Sequence, residues 1–81
     1  SLAVQHRIAT TLLAKGQTED AIQRFRAILD ADRSFAKAWL DLGRAYATDG
    51  RCEEARQAWR QALDHQSTSD AAKEHLNSAC R

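Results

Sequence analysis

Apolar side chains recur at helical spacing along the chain, at Val4, Ile8 and Leu12 and again at Ala21, Phe25, Ile28 and Leu29. Residues three or four apart lie on the same face of an α-helix, so this pattern predicts amphipathic helices joined by short turns. It predicts five of them, over residues 2–15, 18–31, 35–48, 52–65 and 70–80.

The predicted helix ends rest on glycines and on short polar side chains. Gly16 and Gly50 stand where a helix stops, because glycine adopts the left-handed conformation after the last helical residue without a side-chain clash. Thr18, Ser34 and Ser69 are the predicted N-caps of the second, third and fifth helices, since their side-chain oxygens can accept from the first backbone N–H groups. In the fifth helix, one apolar face is expected to contain Ala72, Leu76, Ala79 and Cys80.

The chain repeats itself at an offset of 34 residues, as the two glycines show (50 − 16 = 34). At this offset Gly16 coincides with Gly50, Ala21 with Ala55, Phe25 with Trp59, Leu29 with Leu63, Ile8 with Leu42 and Leu12 with Tyr46. Glycine, small and aromatic positions that coincide in this way mark a structural repeat.

Residues 39–46, WLDLGRAY, carry the most specific pattern in the chain. They match W-x2-L-G-x2-Y, and Ala55, Trp59 and Ala62 follow at small, aromatic and small positions of the next helix. In this the chain resembles the tetratricopeptide repeat family, whose period is 34 residues. The resemblance implies an all-α fold, a right-handed α–α superhelix of about five antiparallel helices.

The resemblance divides the chain into three parts. Residues 2–35 form a degenerate first repeat, with Gln5, Ile8, Ala9 and Leu12 at the Trp, Leu, Gly and Tyr positions. Residues 36–69 form the second repeat. Residues 70–81 form a polar capping helix or the start of a third repeat, and the chain is expected to be a piece of a longer protein.

In this family the first helix of each repeat is expected to line a concave groove that holds an extended or helical peptide. The candidate groove residues are His6, Thr10, Leu13, Lys37, Leu40, Asp41, Arg44, Glu74 and Ser78, with Ala47 beside them. Lys37 and Arg44 give this surface a cationic bias, which suits a peptide that combines apolar anchors with acidic groups. The alternative for each residue is a solvated helical face without a partner.

One subset of the family clamps the C-terminal carboxylate of chaperones with Lys, Asn and Arg at set groove positions. The corresponding residues are His6, Thr10, Asp41, Ala71 and His75, and none is of the expected type. Asp41 would in addition repel a carboxylate, so we do not expect chaperone-tail binding.

The charge balance does not favour nucleic acid or a membrane as a partner. Twelve Lys and Arg against 11 Asp and Glu give a net charge of +1, so no long-range field attracts polyanions. The second helices carry a mixed-charge outer face with Arg24, Arg26, Arg56 and Arg60 among Asp20, Glu53 and Glu54. No membrane-spanning run is present. The sequence does not indicate a compartment, and the cytoplasm is only the default.

The sequence contains no catalytic or metal-binding pattern. His6, His65, His75, Cys52 and Cys80 lack ligand spacing, so no metal or cofactor is expected. His65 is expected to cap the C-terminal end of a helix. Cys52 and Cys80 are either small half-buried side chains or a disulfide that joins the last helix to the second repeat.

The sequence therefore predicts a non-enzymatic adaptor that binds a peptide segment of another protein in its groove. The alternative is a structural solenoid segment, or a self-association module, that makes contacts through its end or convex faces.

Overall fold

The computed structural model describes residues 1–78 and 80, and this part of the chain forms five α-helices without a strand. The helices are α1 (Leu2–Ala14), α2 (Thr18–Ala31), α3 (Ala36–Thr48), α4 (Cys52–Leu63) and α5 (Gln66–Ser78). The predicted all-α fold class is therefore confirmed.

In each repeat, a glycine follows the end of the first helix, as predicted. Gly16 has a φ of 82° and Gly50 a φ of 76°, both in the left-handed region. The N–H groups of Gly16 and Gln17 donate to the carbonyls of Leu13 and Leu12 over 3.0 and 2.9 Å, which is the Schellman arrangement. Gly50 and Arg51 donate to Ala47 and Tyr46 in the same way, at 3.0 and 2.8 Å.

The predicted caps of α2 and α3 are wrong. Thr18 is already the first residue of α2, and its N-cap, Gln17, makes no side-chain cap bond. The N-cap of α3 is Phe35, not Ser34, and it also makes no side-chain cap bond. The hydroxyl of Ser34 instead donates to Oδ1 of Asp32 over 2.6 Å, in a turn that the carboxylate of Asp32 organises. This hydrogen bond, and a second one from the backbone N–H of Ser34 to the same oxygen over 2.9 Å, lower the pKa of Asp32.

The last helix begins at Gln66, four residues before the predicted start, so Ser69 is not its N-cap. Thr68 explains the earlier start. It is buried, and its hydroxyl donates over 2.7 Å to the carbonyl of Ala62 in the last turn of α4. A tertiary contact thus overrides the weak helix preference of this Ser- and Thr-rich segment.

The ends of α4 and α5 also differ from the predicted ends. α4 ends at Leu63, and the backbone N–H of His65 donates to the carbonyl of Ala62 in its last turn over 3.3 Å, while a role of the imidazole at this helix end stays a prediction. Cys80 lies beyond α5 with a φ of 60°, but it packs against the core as expected. Ala72 is buried and Leu76 packs against the core, whereas Ala79 lies outside the described residues.

The core runs through both repeats without a break, with α3 at its centre, since α3 packs against each of the other four helices. Phe25 of α2 and Trp59 of α4, which coincide in the repeat, are both fully buried. The small residues Ala9, Ala21, Ala38, Ala45, Ala55, Ala62 and Ala72 are also fully buried and allow the helices to approach closely.

Cys52 and Cys80 form a disulfide, which decides between the two alternatives left open by the sequence. Their Cα atoms lie 5.4 Å apart across a separation of 28 residues. Next to it, Nη1 of Arg56 donates to the carbonyl of Cys80 over 3.0 Å. Cys80 is thereby fixed to the first turn of α4.

Candidate peptide-binding groove

One strip of α3 stays open to solvent although this helix packs against all the others. Lys37 and Arg44 are exposed, and Leu40 and Ala47 are half-buried beside them. We call these four residues the α3 stripe. Their spacing of three, four and three places them along one side of the helix.

A hydrogen bond from α4 fixes the backbone of the α3 stripe. Nε1 of the buried Trp59 donates to the carbonyl of Leu40 over 3.2 Å, a contact made across the two helices of the second repeat. Trp39 makes a separate bond from its Nε1 to the carbonyl of Arg33 at 2.8 Å. The stripe therefore stands on a fixed backbone.

Asp41 joins α1 to α3 beside the stripe. Its Oδ2 accepts from Nε2 of His6 over 2.7 Å, and its Oδ1 accepts from Nη1 of Arg44 over 3.0 Å. The side chains of His6 and Asp41 are only 16% and 12% exposed, whereas that of Arg44 is 52% exposed. Arg44 offsets the charge of Asp41, so the repulsion of a ligand carboxylate is weaker than the sequence alone implies.

The remaining candidates on α1 are partly committed to the fold. The imidazole of His6 lies against the rings of Phe25 and Phe35, with centroid distances of 5.8 and 5.5 Å. Thr10 is half-buried, and its hydroxyl donates to the carbonyl of Arg7 over 2.9 Å. Leu13 packs against the edge of the core. The bond to Asp41 places His6 next to α3, whereas a groove position for Thr10 and Leu13 stays a prediction.

On α5, the candidates Glu74 and Ser78 are both exposed. The hydroxyl of Ser78 donates to the carbonyl of Glu74 over 2.7 Å, so it is occupied within its own helix. His75 stacks on the ring of Trp59 with a centroid distance of 5.1 Å and is part of the packing. That Glu74 and Ser78 extend the groove stays a prediction.

The family model for the tetratricopeptide repeat matches residues 6–72. The chain belongs to the tetratricopeptide repeat family. No curated protein matches its sequence. Repeats of this family generally mediate protein–protein interactions and are typically non-catalytic, so a protein is the expected class of partner. The matched segment includes the α3 stripe and ends before Glu74 and Ser78.

Sequence reasoning missed a polar contact between the two tetratricopeptide repeats. Arg51, in the turn after Gly50, binds Glu54 through both oxygens at 3.1 and 2.7 Å and lies 3.6 Å from Glu19 of the first repeat. Its guanidinium also lies 4.7 Å above the ring of Tyr46. The hydrogen bonds from Arg51 lower the pKa of Glu54 and raise that of Arg51 itself. The contact with Glu19 could not be predicted from a local pattern, since Glu19 and Arg51 are 32 residues apart in sequence.

The described part of the chain offers neither a cluster of metal ligands nor a membrane-spanning helix. Within residues 1–78 and 80, no group of His, Cys, Asp and Glu is arranged to hold a metal ion. Among the helices of that same part of the chain, none has the length and apolarity needed to cross a membrane.

Proposed function

We propose that the chain binds a peptide segment of a partner protein along a concave groove whose centre is the α3 stripe. The observation that carries the proposal is the exposure of this stripe on a helix that is otherwise enclosed by α1, α2, α4 and α5. His6, Thr10 and Leu13 flank it on α1, and Glu74 and Ser78 are its proposed extension on α5.

The chemistry of the stripe favours a peptide with both apolar and acidic residues. Leu40 and Ala47 offer half-buried apolar surface between two cationic side chains, Lys37 and Arg44. Apolar contacts supply most of the affinity of such an interface, while the charges fix orientation and exclude wrong partners. Arg44 already donates one N–H to Asp41, and its other donors remain available to a peptide carboxylate.

The role of Asp41 in this proposal is to position Arg44. The carboxylate is nearly buried and holds the guanidinium through Nη1, which reduces the side-chain freedom that binding would otherwise remove. His6 holds the same carboxylate from the opposite helix. We therefore do not assign His6 or Asp41 a direct contact with the peptide.

Selection of random peptides on the immobilised domain tests the proposal. We expect enriched sequences with apolar and acidic residues, and loss of their binding on a Lys37→Glu, Arg44→Gln variant. Each lost charge-assisted hydrogen bond costs about 1.5–3 kcal/mol, so binding should weaken by on the order of tenfold or more. Lys37 lies in the first turn of α3, where glutamate suits the helix dipole, so this variant should fold.

The matched control is Arg24→Glu, Arg60→Gln, which makes the same change of charge at exposed positions of α2 and α4. It should leave peptide binding unchanged. Equal loss in both variants would show a general charge effect, and equal retention would place the contact on an end or outer face.

A further inference from the structure

The last helix, α5, is tied to α4 near both of its ends, and one of the two ties is covalent. Near its start, the hydroxyl of Thr68 donates over 2.7 Å to the carbonyl of Ala62 in α4. Beyond its end, Cys80 forms the disulfide with Cys52, the first residue of α4. A hydrogen bond therefore holds the start of α5 against α4, and a disulfide holds its end.

The packing of α5 between these ties is thin. Ala72 is the one fully buried apolar side chain among residues 66–78, whereas five apolar side chains of α2 are buried. Leu76 is only partly buried, and the imidazole of His75 lies on the ring of Trp59 with a centroid distance of 5.1 Å. The first residues of α5, QSTSD, are mostly weak helix formers, and an isolated helix of this length is marginal in water. Packing alone therefore gives α5 little stability.

The disulfide is the strongest tie at the end of α5. Nη1 of Arg56 also donates to the carbonyl of Cys80, over 3.0 Å, while Nη2 binds Glu53 at the same distance. Arg56 is half-buried, and a hydrogen bond at such a position adds only modest stability because water can replace it. Cys52 and Cys80 are half-buried as well, so a reductant in solution can reach the bond.

We infer that the disulfide between Cys52 and Cys80 is a redox switch, which docks α5 on α4 when oxidised and releases α5 when a dithiol reduces it. One thiolate of the dithiol attacks the disulfide, forms a mixed disulfide with one cysteine and releases the other as a thiolate. The second thiol of the reductant then displaces the remaining cysteine. The dithiol becomes a disulfide, and the two cysteines gain two electrons and two protons. This inference does not depend on the proposed groove.

Release of α5 changes the surroundings of Trp59 in particular. It removes His75 from the indole ring, which is fully buried in the oxidised structure. The hydrogen bond from Nε1 of Trp59 to the carbonyl of Leu40 does not involve α5, nor do the contacts of α1 with α2, of α2 with α3 and of α3 with α4. The switch therefore exposes one face of Trp59 while the other four helices stay folded.

Hydrogen exchange without denaturant, in the presence and absence of the dithiol dithiothreitol, tests the inference. The amides of α5 should be protected in the oxidised protein. After reduction they should exchange at least about thirtyfold faster, which is the factor that corresponds to the usual contribution of a disulfide. Amides of α2 and α3 should stay protected. Reoxidation with oxidised glutathione should restore the protection of α5.

Three results would overturn the inference. The first is protection of α5 that survives complete reduction, with both thiols verified by alkylation and mass spectrometry. The second is a loss of protection that all five helices share equally, since that would show a general loss of stability. The third is a disulfide that dithiothreitol opens only in denaturant.

Fluorescence gives an independent readout. In a Trp39→Phe variant, Trp59 is the remaining tryptophan, and reduction should increase the quenching of its emission by acrylamide. Unchanged quenching would contradict the release of α5.

Two further variants separate the disulfide from its surroundings. Arg56→Gln removes the hydrogen bond to Cys80 but keeps the disulfide, so α5 should remain protected while oxidised. Loss of protection in oxidised Arg56→Gln would assign the docking of α5 to the hydrogen bond instead. Cys52→Ala, Cys80→Ala should show released α5 with and without dithiothreitol, and protected α5 in that variant would overturn the inference.

Discussion

Gly43 of α3 lies directly against the indole ring of Trp59 in α4. A Cβ built on Gly43 would lie 2.8 Å from Cε2 of the ring and closer still to Nε1 and Cδ1, and Trp59 is fully buried. The equivalent positions of the first repeat hold Ala9 and Phe25, which are also fully buried. The repeat with the larger ring, Trp59, thus has the smaller residue, Gly43, at the equivalent position.

Gly43→Ala should destabilise the domain, because Trp59 cannot move away from the new methyl group without disturbing the core and its bond to Leu40. Overpacking of this kind costs about 1–3 kcal/mol, although alanine is the better helix former. Urea unfolding measures the change in the free energy of unfolding.

The double variant Gly43→Ala, Trp59→Phe is the control, since it recreates the Ala9–Phe25 pair of the first repeat. We expect the loss to be smaller than the sum of the two single losses. Strict additivity would mean that Gly43 and Trp59 do not constrain each other.

Reduction of the disulfide between Cys52 and Cys80 should lower stability. The disulfide joins residues separated by 28 positions and so restricts the unfolded chain. A crosslink of this kind contributes about 2–4 kcal/mol to the free energy of unfolding. Thermal unfolding with and without a thiol reductant measures the effect.

The variant Cys52→Ala, Cys80→Ala should resemble the reduced parent and should not respond to the reductant. Free thiols detected in the oxidised, folded parent, or a melting temperature that does not depend on reductant, would contradict the pairing.

Acid should weaken the fold through Glu54 and Asp32. Hydrogen bonds from Arg51 hold the pKa of Glu54 below its ordinary 4.5, and those from Ser34 hold the pKa of Asp32 below 3.8. Carboxylates with a lowered folded pKa stabilise at neutral pH, and this contribution is lost as the pH falls through the folded pKa. The free energy of unfolding should therefore decrease below about pH 4.5. Arg51→Gln should flatten that decrease, whereas Arg60→Gln should leave it unchanged.

The contact between His6 and Asp41 should appear as a coupling energy between the two repeats. Asp41→Ala leaves the largely buried His6 without its acceptor and frees Arg44, at a cost of about 1–3 kcal/mol. In a double-mutant cycle with His6→Ala, the two losses should not add. Independent losses would show that the bond contributes little.

The two-helix repeat could be predicted from the sequence because it depends on the local spacing of glycine, small and apolar residues. Gly16 and Gly50 end their helices as expected, and the coincidence of Phe25 with Trp59 identifies one fully buried aromatic residue in each repeat. The exposure of Lys37 and Arg44 also follows from helical spacing on a helix whose other faces are apolar.

The partner of each polar side chain could not be predicted in this way. Ser34 is a residue type common at N-caps, but its hydroxyl donates to Asp32 instead. The start of α5 depends on a hydrogen bond from Thr68 to the last turn of α4. The pairing of His6 with Asp41 across 35 residues follows only from the stacking of the repeats. Sequence spacing fixes the face of a side chain, not its partner.

Chemical-shift mapping of a selected peptide on the ¹⁵N-labelled domain tests the central claim most directly. The account predicts saturable shifts that are largest at Lys37, Leu40 and Arg44, extend to α1 near Leu13, and disappear in the Lys37→Glu, Arg44→Gln variant. Shifts confined to the outer faces of α2 and α4, with binding unchanged in that variant, would contradict it.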